Sequence, residues 1–273
     1  MSDPRIETRA LFPELLAGLL ELLRGLQPDD WDEPTVAGSW TVKDVASHLL
    51  GGELGILSRR RDGWTPGSPP RSYAELVALI DGLNHSWVEA ARRLSPALLV
   101  DLLEHAGRQS CRWFASLDPD APGDPVDWAA PGPAPVWMEL AREYTERWHH
   151  QQQIRDAVGR PGLDGPRHLG PALDAFVRGV PRALERAPRP DGTALCFTVT
   201  GSLDASWCFR REGEAWRLVA GAELPEARLT LPADVAWRLF CKGATPEAAE
   251  REGRLEGDVG LCRAALGTVS VIG

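Results

Sequence analysis

Trp40-Thr41-Val42-Lys43-Asp44-Val45-Ala46-Ser47-His48-Leu49 is the stretch from which the fold is read. Thr41 can cap a helix, and Asp44 three residues on completes a short capping box, a signal for a helix start. Val42, Val45, Leu49 and Ile56 then recur at helical spacing and carry the helix to about Arg61. His48 lies at the edge of this apolar stripe, flanked by Gly51, Gly52 and Gly55. Glycines inside a helix cost about 1 kcal/mol each relative to alanine, so three beside one histidine point to space kept clear for something. The plainer alternative is a histidine at the edge of the core whose ring nitrogens are satisfied structurally.

Outward from this segment the chain reads as helices. Leu11, Leu15, Leu19, Leu22 and Leu23 mark a helix over 9–26 that ends at Pro28-Asp29-Asp30. A loop from Asp62 to Pro70 leads to a helix over Tyr73–Leu94, and Ser95-Pro96 starts another that reaches about Leu117. Residues 118–135 hold six prolines and read as a loop long enough to be functional. A helix over Val136–Val158 stops at Gly159 and Pro161, and one more is expected over Leu169–Glu185. After Pro188-Arg189-Pro190-Asp191-Gly192 the period changes from helical to alternating. Leu195–Thr200, Ser206–Arg210, Trp216–Val219 and Ala227–Leu231 read as strands, followed by short helices over Asp234–Lys242 and Val259–Leu266. The expected organisation is a helical bundle over residues 1–187 and a small α+β domain over 188–273.

Composition bounds the function. The chain has 273 residues and a net charge of −9, which argues against nucleic acid or an anionic membrane surface as the main partner. No apolar run reaches the roughly 18 residues of a membrane span, and the first residues lack the pattern of a secretory leader. Cys111, Cys196, Cys208, Cys241 and Cys262 are odd in number and share no CxxC spacing, so they read as reduced thiols in a cytoplasmic protein. Of 11 tryptophans, eight lie at or before Trp148, which marks the two halves as differently built.

The second informative segment is Glu143-Tyr144-Thr145-Glu146-Arg147-Trp148-His149-His150. Glu146 and His150 are four apart, project from one helix face and can grip one ion. With an imidazole from another helix they make a three-ligand site whose fourth position is open, the arrangement of catalytic zinc. Glu146 and His150 lie nearly opposite the obvious apolar face of Trp137, Leu140, Ala141, Tyr144 and Trp148. Metal binding there requires the helix to be covered on both sides, with Ile154 and Val158 flanking the second. His149, about 100° away, is read as a solvent or supporting residue.

Trp31, the Trp40–Leu49 run and the run from Glu146 through His150 to Gly159 together resemble the DinB-like metal-binding bundles. Among these they resemble the mycothiol-dependent maleylpyruvate isomerase family. The tail Leu255-Glu256-Gly257-Asp258-Val259-Gly260-Leu261-Cys262-Arg263 is similar to that family's closing segment. The resemblance implies an N-terminal four-helix bundle carrying a divalent metal, followed by a small sterol-carrier-like α+β domain. It also implies the ligands. His48 matches the histidine of the family's Trp-(Ser/Thr)-Val-x-Asp-Val-x-x-His-Leu helix. The distance from His150 to Gly159 selects Glu146 and His150 over Glu143 and His149. Many members carry an aspartate three residues after the ligand histidine, whereas this chain has Gln153.

The resemblance further implies a low-molecular-weight thiol such as mycothiol, whose sulfur the metal holds as thiolate. In the isomerase that thiolate adds to a conjugated cis double bond, and rotation and elimination give the trans product; relatives stop at the adduct as S-transferases. Zinc is the first choice of metal, with Ni, Fe or Mn also suited to two imidazoles and a carboxylate. The expected partners are this thiol and a small electrophile, in a monomer or homodimer. An anionic substrate would need a cation. Arg147 and Arg155 are candidates near the ligands, and Arg59, Arg60 and Arg61 read better as a solvated cluster. Two alternatives remain. One is a non-catalytic binding or regulatory protein with an apolar cavity lined by Phe197, Val199, Trp207 and Phe209. The other is a metal-dependent hydrolase with Glu53 or Glu143 as base.

Overall fold

The computed structural model describes residues 4–65, 67, 70–129 and 132–271. The first three residues and parts of the two proline-rich loops lie outside them. The described chain groups into two compact units. One holds Thr8–Asp118 and Glu146–Gly162; the other holds Pro119–Thr145 and Leu163–Val271 with residues 4–7. The units do not follow the division at 187/188 read from the change of period, because the helices over 166–184 group with the strands.

The helical unit contains α1 (Phe12–Arg24), α2 (Val42–Ile56), α3 (Tyr73–Ala91), α4 (Pro96–Ser116) and the Glu146–Ala157 part of α5 (Val136–Ala157). The starts of α2, α3 and α4 are capped by side chains. Thr41 and Asp44 form the reciprocal capping box of α2. Ser72 and Ser95 accept from the amides of Glu75 and Leu98, and Pro96 opens α4, where its missing N–H costs nothing. At the end of α5, Gly159 has a φ of +63°, a left-handed turn that glycine adopts without strain. The core is built from Phe12, Leu15, Leu19 and Leu23 of α1, Val42, Val45, Leu49 and Leu50 of α2, Leu99, Leu103 and Phe114 of α4, and Trp148 and Ile154 of α5. α2 continues as a π-turn over Leu57–Arg61. Arg61 at its end is exposed and bonded to Asp62 and Gln109.

The second unit holds the Val136–Thr145 part of α5, α6 (Pro166–Phe176), α7 (Val180–Leu184) and a five-stranded sheet. The helix expected over Leu169–Glu185 is broken by a tight turn at Val177–Gly179. Gly179 sits where a Cβ would come within 2.6 Å of Ser270 Oγ, and Pro181 restarts the chain as α7. The strands β1 (Ala194–Thr200), β2 (Ala205–Glu212), β3 (Ala215–Val219), β4 (Ala227–Pro232) and β5 (Arg254–Gly257) lie in the order β3-β2-β1-β4-β5. All pairs are antiparallel except β1 with β4. α8 (Ala233–Phe240), α9 (Pro246–Glu252) and α10 (Val259–Leu266) complete the unit. Helical N-terminal region and mixed sheet together make an α plus α+β fold.

The expectation of reduced cysteines is overturned for one pair. Cys196 and Cys208 are not reduced thiols but a disulfide, with Cα atoms 4.1 Å apart. The antiparallel register of β1 and β2 sets the two residues directly opposite each other, a relation invisible to a search for short Cys-Cys spacings. Cys111, Cys241 and Cys262 remain as thiols. Phe197, Val199 and Phe209 are fully buried, and Phe197 packs against Phe240 and Trp207 with ring centroids at 5.6 and 6.3 Å. They fill a core. An open depression of about 740 Å³ in this unit is lined instead by Gly192, Ala194, Arg210 and the Gly221–Glu226 segment.

Candidate metal centre

α2 and α5 bring His48, Glu146 and His150 together. His48 Nε2 lies 3.0 Å from Glu146 Oε1, and His150 Nε2 lies 3.2 Å from the same oxygen. The two imidazole rings meet edge to face with centroids 4.6 Å apart. Among the described residues these three form the one cluster of histidine, cysteine or carboxylate donors whose ligand atoms all lie within 4.8 Å of one another. Donors on a tetrahedral ion with legs of about 2.0–2.1 Å stand roughly 3.3 Å apart, close to the two spacings observed. The donor set and its spacing therefore fit a divalent cation.

α5 is covered on both faces. Trp148 and Ile154 are fully buried, and His149, Gln151, Gln152 and Gln153 are buried as well. This is the double burial that the Glu146/His150 pair required. Glu146 keeps 44% of its side chain accessible, while the His48 and His150 side chains keep 10% and 12%. The carboxylate thus stands at the open side of the cluster. Trp40 lies beside the His48 ring with centroids 5.1 Å apart.

The charges of the cluster follow from its contacts. Burial pushes the Glu146 carboxyl up, but the charge and hydrogen bonds of His150 and His48 outweigh it and hold the group well below the usual carboxylate range. Burial pushes His150 down, and the neighbouring Glu146 carboxylate, with hydrogen bonds to Glu146 and Gln153, brings it above the ordinary histidine value. His48 is shifted down by burial despite its hydrogen bonds to Glu146 and Asn84. His149 is driven to about 3, first by burial and then by His150, so it is neutral near pH 7.

The supporting contacts were not legible as such. His150 Nδ1 donates to Gln153 Oε1 at 2.8 Å, and Gln153 Nε2 donates to His149 Nε2 at 3.0 Å. His149 is consequently a buried supporting residue and does not face solvent. Asn84, one turn before Val88 on α3, hydrogen-bonds the His48 ring. No motif had marked it. The glycines beside His48 divide in their roles. Gly51 makes room for Trp87, whose indole would lie 2.5 Å from a Cβ there and whose Nε1 donates to Ser47 O at 2.7 Å. A Cβ on Gly55 would meet the Arg59 side chain. Only Gly52, one turn after His48, faces open space within 4 Å.

Arg147 and Arg155 have protein partners. Arg147 bonds both oxygens of Glu53 at 2.8 and 3.0 Å, with its guanidinium over the rings of Phe12 and Phe114. Glu53, weighed above as a base, is thus held in a buried ion pair, and Glu143 pairs with Arg142. Arg155 donates to Gln151 and to the carbonyls of Gly18 and Pro161. Burial raises the Cys111 thiol to about 11, so it is not a nucleophile at neutral pH.

With this geometry in place, comparison with known proteins is informative. The family model described as the mycothiol maleylpyruvate isomerase N-terminal domain matches residues 12–155, more than half of the chain. The chain belongs to this family. Membership covers α1 through nearly all of α5 and includes all three clustered residues. Two crystal structures of the mycothiol-dependent maleylpyruvate isomerase share the fold. A single-site mutant of it aligns at 12% identity and a TM-score of 0.57 over 94% of this chain and 96% of that one. A second structure aligns at 12% identity and 0.55 over 88% and 91%. The likeness therefore extends through the mixed sheet, beyond the segment of the family model. No curated protein matches the chain.

Proposed function

We propose that the chain is a divalent-metal enzyme that uses a low-molecular-weight thiol of the mycothiol kind. It isomerises, or transfers the thiol to, a small electrophile such as maleylpyruvate. The observation that carries this is the convergence of His48 Nε2 and His150 Nε2 on one oxygen of Glu146. His48, Glu146 and His150 are the proposed ligands. A divalent cation held there supplies a Lewis acid that favours the deprotonated form of a coordinating thiol.

The chain's own residues set the conditions. Glu146 contributes the single negative charge of the cluster, and the histidines contribute neutral donors. Asn84 and Gln153 hold the two rings from behind. Cys111 and Cys262 do not compete for the thiol's role, since burial raises both thiols to about 11. The nucleophilic sulfur in this reading is that of the small thiol. Gly52 leaves the helix surface one turn past His48 uncovered.

Metal content of the purified protein, measured with His48→Ala and His150→Ala alongside, tests the site. One equivalent in the wild type and a loss in both variants is expected; unchanged stoichiometry in both sinks the site. Consumption of free mycothiol or glutathione in the presence of maleylpyruvate or a generic electrophile tests the chemistry. It should stop on chelation and return with added metal.

A further inference from the structure

His48, Gly52, Gly55 and Arg59 follow one another at intervals of four, three and four residues along α2 and its π-turn. At about 100° per residue they fall on one side of the helix, with His48 at one end and Arg59 at the other. Arg59 turns back along this side. A Cβ built on Gly55 would stand 3.1 and 3.2 Å from its two η nitrogens and 3.4 Å from Cζ. The forked end of the guanidinium therefore lies across the bare backbone of Gly55, and a larger residue there would displace it. Between the fork and His48 this side of the helix carries only Gly52, where a Cβ would meet nothing within 4 Å. Seven residues of helical rise put Gly55 about 10 Å along the axis from His48.

The charge at the fork is not neutralised. Arg147 bonds Glu53, Arg155 bonds Gln151 and two carbonyls, and Arg61 bonds Asp62 and Gln109. Arg59 is exposed, and among the described residues no acceptor lies within hydrogen-bond or ion-pair reach of it. A guanidinium stays charged at neutral pH and offers a carboxylate two parallel N–H groups. What sets Arg59 apart from other exposed arginines is its seat, folded over a glycine toward a proposed metal donor.

We propose that Arg59 is a specificity-determining residue of the site: its guanidinium receives a carboxylate of the electrophile, which lies along Gly52 toward His48. The inference rests on the metal and thiol reading above and names the substrate class that it favours, an anionic electrophile. Maleylpyruvate carries a carboxylate at each end of a short carbon chain, and such a chain can reach from the fork along Gly52. Arg59 thereby stands apart from the solvated cluster in which the sequence groups it with Arg60 and Arg61.

Two measurements test this, one without metal and one with it. Calorimetric titration of the metal-free protein with maleate, a short cis dicarboxylate, and with dimethyl maleate, its uncharged ester, reads the carboxylate site alone. The wild type should bind maleate about tenfold or more tightly than the ester. Arg59→Met should lose about 10–100-fold in maleate affinity, as expected for a charge-assisted pair, with its urea midpoint unchanged. Arg59→Lys should recover part of that loss, and Gly52→Leu, which fills the open stretch, should weaken maleate binding while still taking up zinc. In the zinc-loaded enzyme, Arg59→Met should lower the ratio of kcat/KM for maleylpyruvate to that for an uncharged electrophile, through KM and not kcat.

A wild type that binds maleate no more tightly than the ester overturns the proposal, as does an Arg59→Met protein within about twofold of wild type for maleate. If Arg59→Met does not fold, Arg59→Lys and Gly52→Leu decide: wild-type maleate affinity in both overturns it. A wild type that takes up no zinc, but loses maleate binding in Arg59→Met, removes the metal site and leaves the carboxylate contact standing. Zinc uptake with unaltered maleate binding in Arg59→Met does the reverse.

Discussion

Removing the Arg147 guanidinium should unsettle the helical unit more than any change at an exposed arginine. Arg147 and Glu53 retain 12% and 7% of their side-chain surface and share two hydrogen bonds, of 2.8 and 3.0 Å. The guanidinium carbon also lies 5.0 Å from the Phe114 ring centroid and 5.6 Å from that of Phe12. Arg147→Met leaves the Glu53 carboxylate buried without this partner, a loss of about 3–5 kcal/mol. Glu53→Met removes this partner from the Arg147 guanidinium and should also destabilise the protein by roughly a few kcal/mol. Replacing both gives an apolar pair of similar volume, so the double variant should be far more stable than the sum of the single losses implies. Urea unfolding of the four proteins measures the cycle, and a loss near 3 kcal/mol corresponds to a Tm lower by roughly 6–12 °C. Single variants within about 0.5 kcal/mol of wild type, or a double variant as unstable as the sum, would refute the reasoning. They would also return Arg147 to consideration as the cation that meets an anionic substrate.

The other expectations are more local. Gly51→Ala drives a methyl group into the Trp87 indole and should cost about 1–3 kcal/mol in urea unfolding. Gly52→Ala meets nothing within 4 Å and should be neutral or gain up to about 1 kcal/mol from helix propensity. Joint replacement of Cys196 and Cys208 by serine opens a short loop and should cost about 3 kcal/mol. Mass spectrometry without reductant checks that the bond forms; two free thiols there would contradict the structure. Burial pushes the Asp44 carboxyl up, but Arg92 and the Thr41 amide hold it below its ordinary 3.8. Its folded value being depressed, its contribution is present above pH 4 and lost as pH falls through the folded value. Asp44→Asn should therefore be less stable at neutral pH and flatter in stability below pH 4.

The helices were legible because their ends are written in local chemistry. Thr41/Asp44, Ser95-Pro96 and Gly159 each specify a backbone event within three or four residues, and the structure places helix ends beside each of them. What was not legible depends on pairing across distance. The Cys196–Cys208 bond follows from strand register, and the break at Gly179 follows from the approach of Ser270. Neither leaves a mark in the local pattern. The three clustered donors could be named from the family resemblance, yet Asn84 carries no spacing signal, since α3 meets His48 only in the fold. Gly51 misled for a related reason: a small residue records that something is close, without recording that it is Trp87.

α5 shows why the amphipathic pattern misread the site. A helix buried all round is ordinarily apolar all round. Here His149, Gln151, Gln152 and Gln153 are buried in succession, each a group that costs free energy to bury unless it is hydrogen-bonded. Gln151 donates to Leu15 O, and Gln153 bridges two histidines. A helix serving only as scaffold would be more stable with leucine at these places, since packing needs no such partners. The polar run makes sense if the helix must hold the His150 ring in place by hydrogen bonds while staying covered on its far side. The low helical amphipathicity of this segment is then a property of the site, and a run of buried, mutually bonded polar residues beside a Glu-x-x-x-His pair points to a ligand set more directly than the pair does alone.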